Sequence, residues 1–441
     1  MEKTLLNDDF SLENLLGHWQ TLTEVERTSV FQTLGRLDQE DLFLNLASDY
    51  QKDLFLSFSN SEKKIFIRLL PLDDLADLIQ LMDEPEKMRM FNFLDYSTLV
   101  EVKVLLAYSE DEAGGLMNSR FARLRPEMTA EEAIRYLRKQ SQSKIETIYY
   151  AYVLDRLQKL LGVVSLRELF LANEKSLVQE IMTTDLVTVL ENEDQESISK
   201  TFSNHNFLAL PVVDNDNIIK GIITVDDVVE VIEEEATEDI QKLGGMEALG
   251  EPYLDINLFK MIKKRAGWLM ALFVGEMFTA TAMSHYEHDI SKAVVLALFI
   301  PLVISSGGNS GSQATTLIIR AMALGELRLR DWWRVLTREF ISGFSLGAIL
   351  GLIGLLRILL WPNKEVLYGE HYILVGLTVA FSLIGIVLWG TLAGSMLPFI
   401  LRKIGLDPAT SSAPFVATLV DVTGLVIYFT VASIFLKGIL L

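Results

Sequence analysis

Two stretches of this chain, residues 293–319 and 372–401, contain no charged side chain. At about 1.5 Å of rise per residue each is long enough to cross the roughly 30 Å of a bilayer's hydrocarbon, and a helix apolar on all sides over that length finds its solvent there. Three more stretches, 266–286, 340–361 and 412–439, fit the same length around the embedded ionizable residues Glu276, Arg357 and Asp421. Five membrane helices are predicted. The loop after the second carries Arg320, Arg328, Arg330, Arg334 and Arg338, and the loop after the fourth Arg402 and Lys403, whereas the alternate loops hold Lys292 and Lys364. Cytosolic loops concentrate basic residues, so the N-terminus is expected in the cytosol and the C-terminus outside. Lys263, Lys264 and Arg265 before the first span agree with this. So does Met1 to Phe10, which is polar and acidic and lacks the apolar core of a secretory signal.

The rest of the chain has the opposite character. Residues 1–262 hold 25 Lys and Arg against 49 Asp and Glu, while residues 263–441 hold 14 against 10. Such an acidic excess repels nucleic acid and attracts cations, so no nucleic-acid partner is expected. Cysteine is absent, which excludes thiolate catalysis and Cys-ligated zinc, and the five histidines form no metal-binding motif. Nothing in the pattern calls for an enzyme.

Residues 1–116 alternate apolar and charged positions at helical spacing, as in Leu72-Asp-Asp-Leu-Ala-Asp-Leu-Ile, and predict an all-α domain. Beyond Met117 the rhythm changes to short β-branched strands, Thr147–Leu154 and Leu208–Val213, between helices. Gly162-Val-Val-Ser-Leu-Arg-Glu-Leu and Gly221-Ile-Ile-Thr-Val-Asp-Asp-Val repeat at a separation of 59 residues. Two copies of one α/β unit are implied, 117–175 and 176–232, and they resemble a tandem pair of CBS domains. An acidic connecting, or plug, helix is expected over 233–262, followed by a transmembrane domain over 263–441.

Three places suggest chemistry. A carboxylate at the centre of a membrane helix costs roughly 2.5 to 3.5 kcal/mol to insert, so Asp421 should face water, a cation or a hydrogen-bonding neighbour. The second span is interrupted by Ser305-Ser-Gly-Gly-Asn-Ser-Gly-Ser-Gln-Ala-Thr-Thr. Gly307 and Gly311 suit tight helix packing, with Gly308 beside them, but packing does not account for Asn309 and Gln313, which suit a path for a partly hydrated cation such as magnesium. Finally, Asp226, Asp227, Glu230, Glu233, Glu234, Glu235, Glu238 and Asp239 fall within 14 residues. Like charges at helical spacing repel, and divalent cations relieve that repulsion, which makes the segment a candidate metal sensor.

The stretches Glu110-Asp-Glu-Ala-Gly-Gly-Leu-Met, Glu235-Ala-Thr-Glu-Asp-Ile, Gly307-Gly-Asn-Ser-Gly-Ser-Gln and Pro414-Phe-Val-Ala-Thr-Leu-Val-Asp-Val-Thr-Gly closely resemble those of MgtE magnesium channels. The resemblance implies a homodimer with a pore on its two-fold axis, lined by the second and fifth spans and including Pro414 and Thr418. Asp421, with Ala417 beside it, would hold hydrated magnesium in that pore. It implies regulatory magnesium at Asp74, Asp194, Glu196, Asp227, Glu230, Glu235, Glu238 and Asp239, with backbone oxygen from the Gly114-Gly115 turn. Two positions depart from the family pattern: Asn206 stands where an Asp is expected and Ala413 where an Asn is expected. Thr224 and Asp227 also fit the CBS pattern for a nucleotide ribose, with ATP as modulator, or else they cap the helix that follows. The first copy has Ser165 and Glu168 there. The expected function is passive magnesium influx shut off by cytosolic magnesium. The alternatives are an exporter or ion-coupled exchanger of magnesium, cobalt or manganese, with Glu276 as coupling carboxylate, and a membrane-anchored sensor without permeation. Oxygen ligands alone do not choose among magnesium, manganese, cobalt and calcium.

Overall fold

The computed structural model describes residues 12–141, 145–251, 253–254 and 256–440. The chain divides into two compact units, residues 1–234 and 235–441.

The first unit opens with eight short helices: α1 (Leu12–Trp19), α2 (Glu24–Thr33), α3 (Arg36–Leu44), α4 (Ser48–Ser57), α5 (Asn60–Phe66), α6 (Leu72–Gln80), α7 (Glu84–Phe91) and α8 (Tyr96–Leu105). Helices this short are marginal alone, so caps and packing decide them. Thr23 and Ser59 make reciprocal capping boxes with Glu26 and Glu62. The helices close on an aromatic centre in which Phe58 and Phe43 lie 4.6 and 4.9 Å from the Phe66 ring. From α6, Leu72, Leu75, Leu78 and Ile79 point inward.

After α9 (Ala113–Leu116) come β1 (Arg123–Leu124), α10 (Ala130–Gln140), β2 (Tyr150–Leu154), β3 (Leu160–Ser165), α11 (Leu166–Leu171) and α12 (Val178–Ile181). The second copy follows with β4 (Val189–Leu190), α13 (Gln195–His205), β5 (Ala209–Val213), β6 (Ile219–Thr224) and α14 (Val225–Leu243). Each copy is a three-stranded sheet, its first strand parallel and its third antiparallel to the middle one. The repeat extends to detail: Tyr150 pairs Ser165 as Ala209 pairs Thr224, and the bulge at Val153/Leu154 recurs at Val212/Val213. The strands start later than the apolar runs suggest. The Thr147 hydroxyl accepts the Tyr149 N–H, and that local turn takes the chain out of ladder pairing before Tyr150. Phe202, Leu210, Ile223 and Val228 of the second copy share one core with the N-terminal helices.

The acidic connecting helix starts earlier than residue 233, because it continues α14 without a break, and it stops earlier than 262. Gly245, at φ +74°, turns the chain where a side chain would be strained.

The second unit contains five helices long and apolar enough to cross a membrane: α15 (Leu258–His285), then, after the short α16 (Glu287–Lys292) and α17 (Val294–Ala297), α18 (Ile300–Ala323), α19 (Trp332–Leu360), and, after α20 (Lys364–Tyr368), α21 (Tyr372–Lys403) and α22 (Ala413–Leu436). Helices α18, α21 and α22 form its core, with Val303, Ile386, Val416 and Val420 fully buried. Lipid offers no hydrophobic drive between helices, so close approach must do the work. A Cβ on Gly390 would stand 2.3 Å from the Gly307 carbonyl oxygen, and one on Gly394 2.2 Å from that of Gly311. Thr315 donates to the Gly394 carbonyl at 2.8 Å, and the Ser310 and Thr391 hydroxyls meet at 2.7 Å. Helix α15 has no buried residue and packs mainly on α22, where Gly275 abuts Thr418.

Candidate ion pathway and acidic cluster

The polar stretch of the second span does not interrupt the helix. It is continuous from Ile300 to Ala323, and its polar residues divide by face. Gly307, Gly311, Ser310 and Thr315 turn inward and hold α18 against its neighbours. Ser305, Asn309 and Gln313, each one turn apart, form an exposed row together with Thr316. An exposed polar row on a membrane helix requires a wet or polar surface opposite it.

Helix α22 lies antiparallel beside this row. The Ser312 hydroxyl donates to the Ala413 carbonyl at 3.1 Å, and a Cβ on Gly308 would make ordinary contact, 3.5 Å, with Ala417. Four residues one way along α18 thus match four the other way along α22. Continued one step, the register sets residues 304 and 305 level with Asp421. Asp421 and Ala417 are half-buried and one turn apart, so they share a face. Glu276 of α15 is exposed, adjoins the Gly275–Thr418 contact, and is close enough for its charge to act on Asp421. No lysine or arginine pairs with either carboxylate among the described residues.

The start of α22 is held from three sides. Ser412 caps it by accepting the Phe415 N–H, with Pro414 in the first turn, and accepts the Trp268 indole N–H at 3.1 Å. The Gly245 turn sits so close that a Cβ there would reach the Trp268 ring at 2.8 Å and Pro414 at 3.1 Å. Lys242 at the end of α14 donates to Asp407 at 2.8 Å and pairs with Glu238. Burial works against its charge, but its bonds to the Asp407 and Glu238 carboxylates prevail and hold it above the usual lysine range. Glu238 is thus committed to an ion pair, with Glu235 one turn before it and Asp239 next to it in sequence. Ala413 takes part through its backbone oxygen, which needs no particular side chain.

In the first unit, α6, α14 and the segments around Asn118 and Glu146 bring six carboxylates together: Asp73, Asp74, Asp77, Glu146, Asp227 and Glu230. The Asn118 amide donates to Asp73 at 3.1 Å and to Glu146 at 2.7 Å. Burial, then the charge of Asp227, raises Asp74 and Glu146 each to about 7 and raises Asp73 as well. Burial, then Asp74, raises Asp77 to about 8. Asp227 rises to about 6 through burial, against hydrogen bonds from Thr224, and burial and Glu234 raise Glu230. The resemblance implies Asp74, Asp227 and Glu230 as ligands but not Asp73 or Asp77, whose signal is three aspartates close together on a short amphipathic helix, nor Glu146, which comes from the family-like stretch Glu146-Thr-Ile-Tyr-Tyr. Asp194 and Glu196 lie elsewhere, beside the Gly114-Gly115 turn: the Ala113 and Gly114 N–H groups donate to the Glu193 and Glu191 carbonyls. Asp194 caps α13, and Glu196 pairs with Lys200 at 2.6 Å. Asn206 ends α13 at φ 54°, a left-handed conformation that Asn tolerates well, so its place there has a backbone reason.

These carboxylates suit a cation that keeps its water. Among the described residues no three of them converge as a direct coordination sphere. Magnesium, which dehydrates reluctantly, is held well by oxygens one water away.

A cavity of about 730 Å³ opens between the two copies, lined by Tyr149, Tyr150, Ser165 and Glu168 of the first and by Asp185 and Phe207 of the second, among others. Thr224 and Asp227 are not part of it. Asp227 accepts the Thr224 N–H at 2.9 Å and its hydroxyl at 2.6 Å, so they cap α14, and Asp74 and Glu146 act on the same carboxylate. A phosphate would be repelled there. The equivalent pair one repeat earlier, Ser165 and Glu168, faces the cavity.

Comparison with known proteins agrees with this division. Residues 13–111 match a family described as the MgtE intracellular N domain, residues 113–175 and 178–234 each match the CBS domain, and residues 300–431 match MgtE, described as a divalent cation transporter. The chain is 41% identical over 373 residues to the magnesium transporter MgtE of Thermus thermophilus, covering 83% of this chain and 80% of that one. It is 34% identical over 337 residues to the magnesium transporter MgtE of Enterococcus faecalis, covering 76% and 72%. A crystal structure of the cytosolic domain of the magnesium channel MgtE in complex with ATP matches 51% of this chain and 91% of its own, at 36% identity and a TM-score of 0.47.

Proposed function

The chain belongs to the MgtE family of magnesium transporters, and from that premise we propose that it is a passive magnesium channel closed by the magnesium it admits. The family membership makes it a multi-pass magnesium transporter with an intracellular N domain, and not an enzyme. The observation that carries the finer reading is the exposed row Ser305, Asn309 and Gln313 on α18, at the level where α22 presents Ala417 and Asp421. Two copies related by a two-fold axis would put two such rows and two Asp421 carboxylates around one path. Thr418 and Pro414 would border it toward the cytosol, and Gly307 and Gly308 would set how closely the helices approach. The amide and hydroxyl oxygens replace outer water, and the paired carboxylates compensate the divalent charge. With one span per long helix, the C-terminus lies outside.

Closure follows from the acidic cluster. Magnesium at Asp74, Asp227 and Glu230, with Asp73, Asp77 and Glu146, neutralises groups that otherwise repel, and so favours the packed arrangement of the N domain and CBS pair. When cytosolic magnesium falls, the repulsion returns and α14 is released. Its far end carries Glu235, Glu238 and Asp239 and bonds Asp407 through Lys242. ATP would occupy the cavity at Ser165, Glu168 and Phe207 and stabilise the pair of CBS copies that line it. The nearness of Glu276 to Asp421 favours a second reading, coupled exchange, in which two carboxylates alternate between magnesium and another cation. Flux into proteoliposomes separates the two: a channel runs down the magnesium gradient alone, and an exchanger stalls without a counter-ion gradient.

A further inference from the structure

The cytosolic ends of α18 and α19 carry five arginines, Arg320, Arg328, Arg330, Arg334 and Arg338, and no lysine lies between them. All five are exposed, and among the described residues none has a carboxylate within ion-pair distance. The acids nearby are otherwise disposed: Asp331 accepts the backbone N–H of Arg328, Glu326 is exposed and unpaired, and Glu339 forms no ion pair with its neighbour Arg338. Two of the three lysines near the start of α15 are engaged within the protein, Lys264 donating to the Ala248 and Leu249 carbonyls and Lys260 pairing with Glu251. Exclusive use of arginine without a protein partner suits phosphate, which the planar guanidinium grips with two parallel hydrogen bonds and lysine does not.

Helix geometry adds the rest of a lipid. Positions 334, 338, 341, 345 and 352 follow one row of α19, and above the two arginines that row presents the exposed apolar side chains Ile341 and Leu352. Trp332 and Trp333 stand exposed at the same end, where indoles settle at the headgroup level. We propose that Arg334 and Arg338, backed by Arg328 and Arg330, bind the phosphodiester of an anionic phospholipid of the inner leaflet, its acyl chain lying along Ile341 and Leu352. The orientation rests on the single-crossing topology above, but the test below does not depend on flux and so can fail or succeed apart from the channel reading.

The experiment is thermal unfolding of the purified full chain in detergent with added phosphatidylglycerol, phosphatidylcholine or inorganic phosphate at matched phosphorus. Phosphatidylglycerol is expected to raise the midpoint by several degrees, and the other two not to. Arg334→Gln with Arg338→Gln should remove most of the shift. Arg334→Lys with Arg338→Lys, which keeps charge but loses the fork, should remove more than half. Arg402→Gln with Lys403→Gln on the other cytosolic loop should leave it intact. An equal shift with phosphatidylcholine or inorganic phosphate, full retention in the lysine variant, or equal loss in the Arg402/Lys403 control would each overturn the proposal. Should the glutamine variant not fold, native mass spectrometry of the wild type decides: retention of phosphatidylglycerol over phosphatidylcholine supports the site, and equal retention overturns it.

Discussion

The Lys242 ammonium lies 2.8 Å from the Asp407 carboxylate, tying the last turn of the acidic helix to the turn that leads into α22. Asp407 also accepts the Ala409 N–H at 2.8 Å, so the same side chain sets the approach to the Ser412 cap. The pair is partly exposed, and its worth is about 1 kcal/mol at most. Asp407→Ala should therefore raise the cytosolic magnesium needed for half-closure by up to about fivefold without abolishing conduction. Exchanging the charges, Lys242→Asp with Asp407→Lys, should recover part of the loss. Inhibition curves in proteoliposomes test this, and an unchanged midpoint in Asp407→Ala would remove the pair from the gating route.

The glycines of α18 and α21 differ sharply in what they tolerate. A Cβ on Gly390 meets backbone oxygen at 2.3 Å, whereas one on Gly308 meets Ala417 at an ordinary 3.5 Å. Gly390→Ala should cost about 2 kcal/mol or more by forcing α18 and α21 apart, and Gly308→Ala should be close to neutral. Thermal unfolding in detergent gives the comparison.

For the acidic cluster the sign of the pH dependence is fixed by raised carboxyl groups. Asp74, Asp77 and Glu146 have ordinary affinity for protons when unfolded, near pH 4, and hold them to about 7, 8 and 7 when folded. Below pH 4 they are protonated in both states and cost nothing. As pH rises through 4 to 8 the folded state must ionise them against burial, so without metal the first unit loses stability across that window. Magnesium should restore it, most at pH 8. Asp77→Asn should be more stable than wild type in chelator at pH 8 by on the order of 1 kcal/mol, and should gain less from magnesium. Melting curves with and without chelator at pH 5 and pH 8 check both points.

Phe207 and Thr224 make opposite predictions for ATP. Phe207→Ala opens the wall of the cavity and should weaken binding at least tenfold, while Thr224→Ala removes a helix cap and should leave the affinity within twofold. Calorimetric titration distinguishes them, and the reverse order would move the nucleotide to Thr224 and Asp227.

Much of this architecture is legible in the amino acids. The 59-residue repeat reproduces the strand register down to a shared bulge, because each copy must bury the same alternate side chains. The apolar runs mark five long helices, since only helices hide their own backbone in hydrocarbon. The division of α18 into a packed face and a polar row is half legible: Asn309 and Gln313 stand out, but that Ser310 and Thr315 act as interhelical bonds depends on where α21 lies. The acidic cluster is the least legible. Asp73, Asp77 and Glu146 reach it through a fold that joins segments some 70 and 150 residues apart, and local periodicity carries no record of such meetings. Thr224 and Asp227 show the converse, a motif with two meanings that only their surroundings separate. The acidic first segment, Met1 to Phe10, lies outside the described residues.

The most direct test of the account is magnesium uptake into proteoliposomes by the wild type and by Asp421→Ala, with the cytosolic face held at micromolar or at millimolar magnesium. Rapid uptake by the wild type is expected at low cytosolic magnesium, suppression at least tenfold at high, and loss of at least tenfold in Asp421→Ala at either. Undiminished uptake in Asp421→Ala, or wild-type uptake indifferent to cytosolic magnesium, would contradict it.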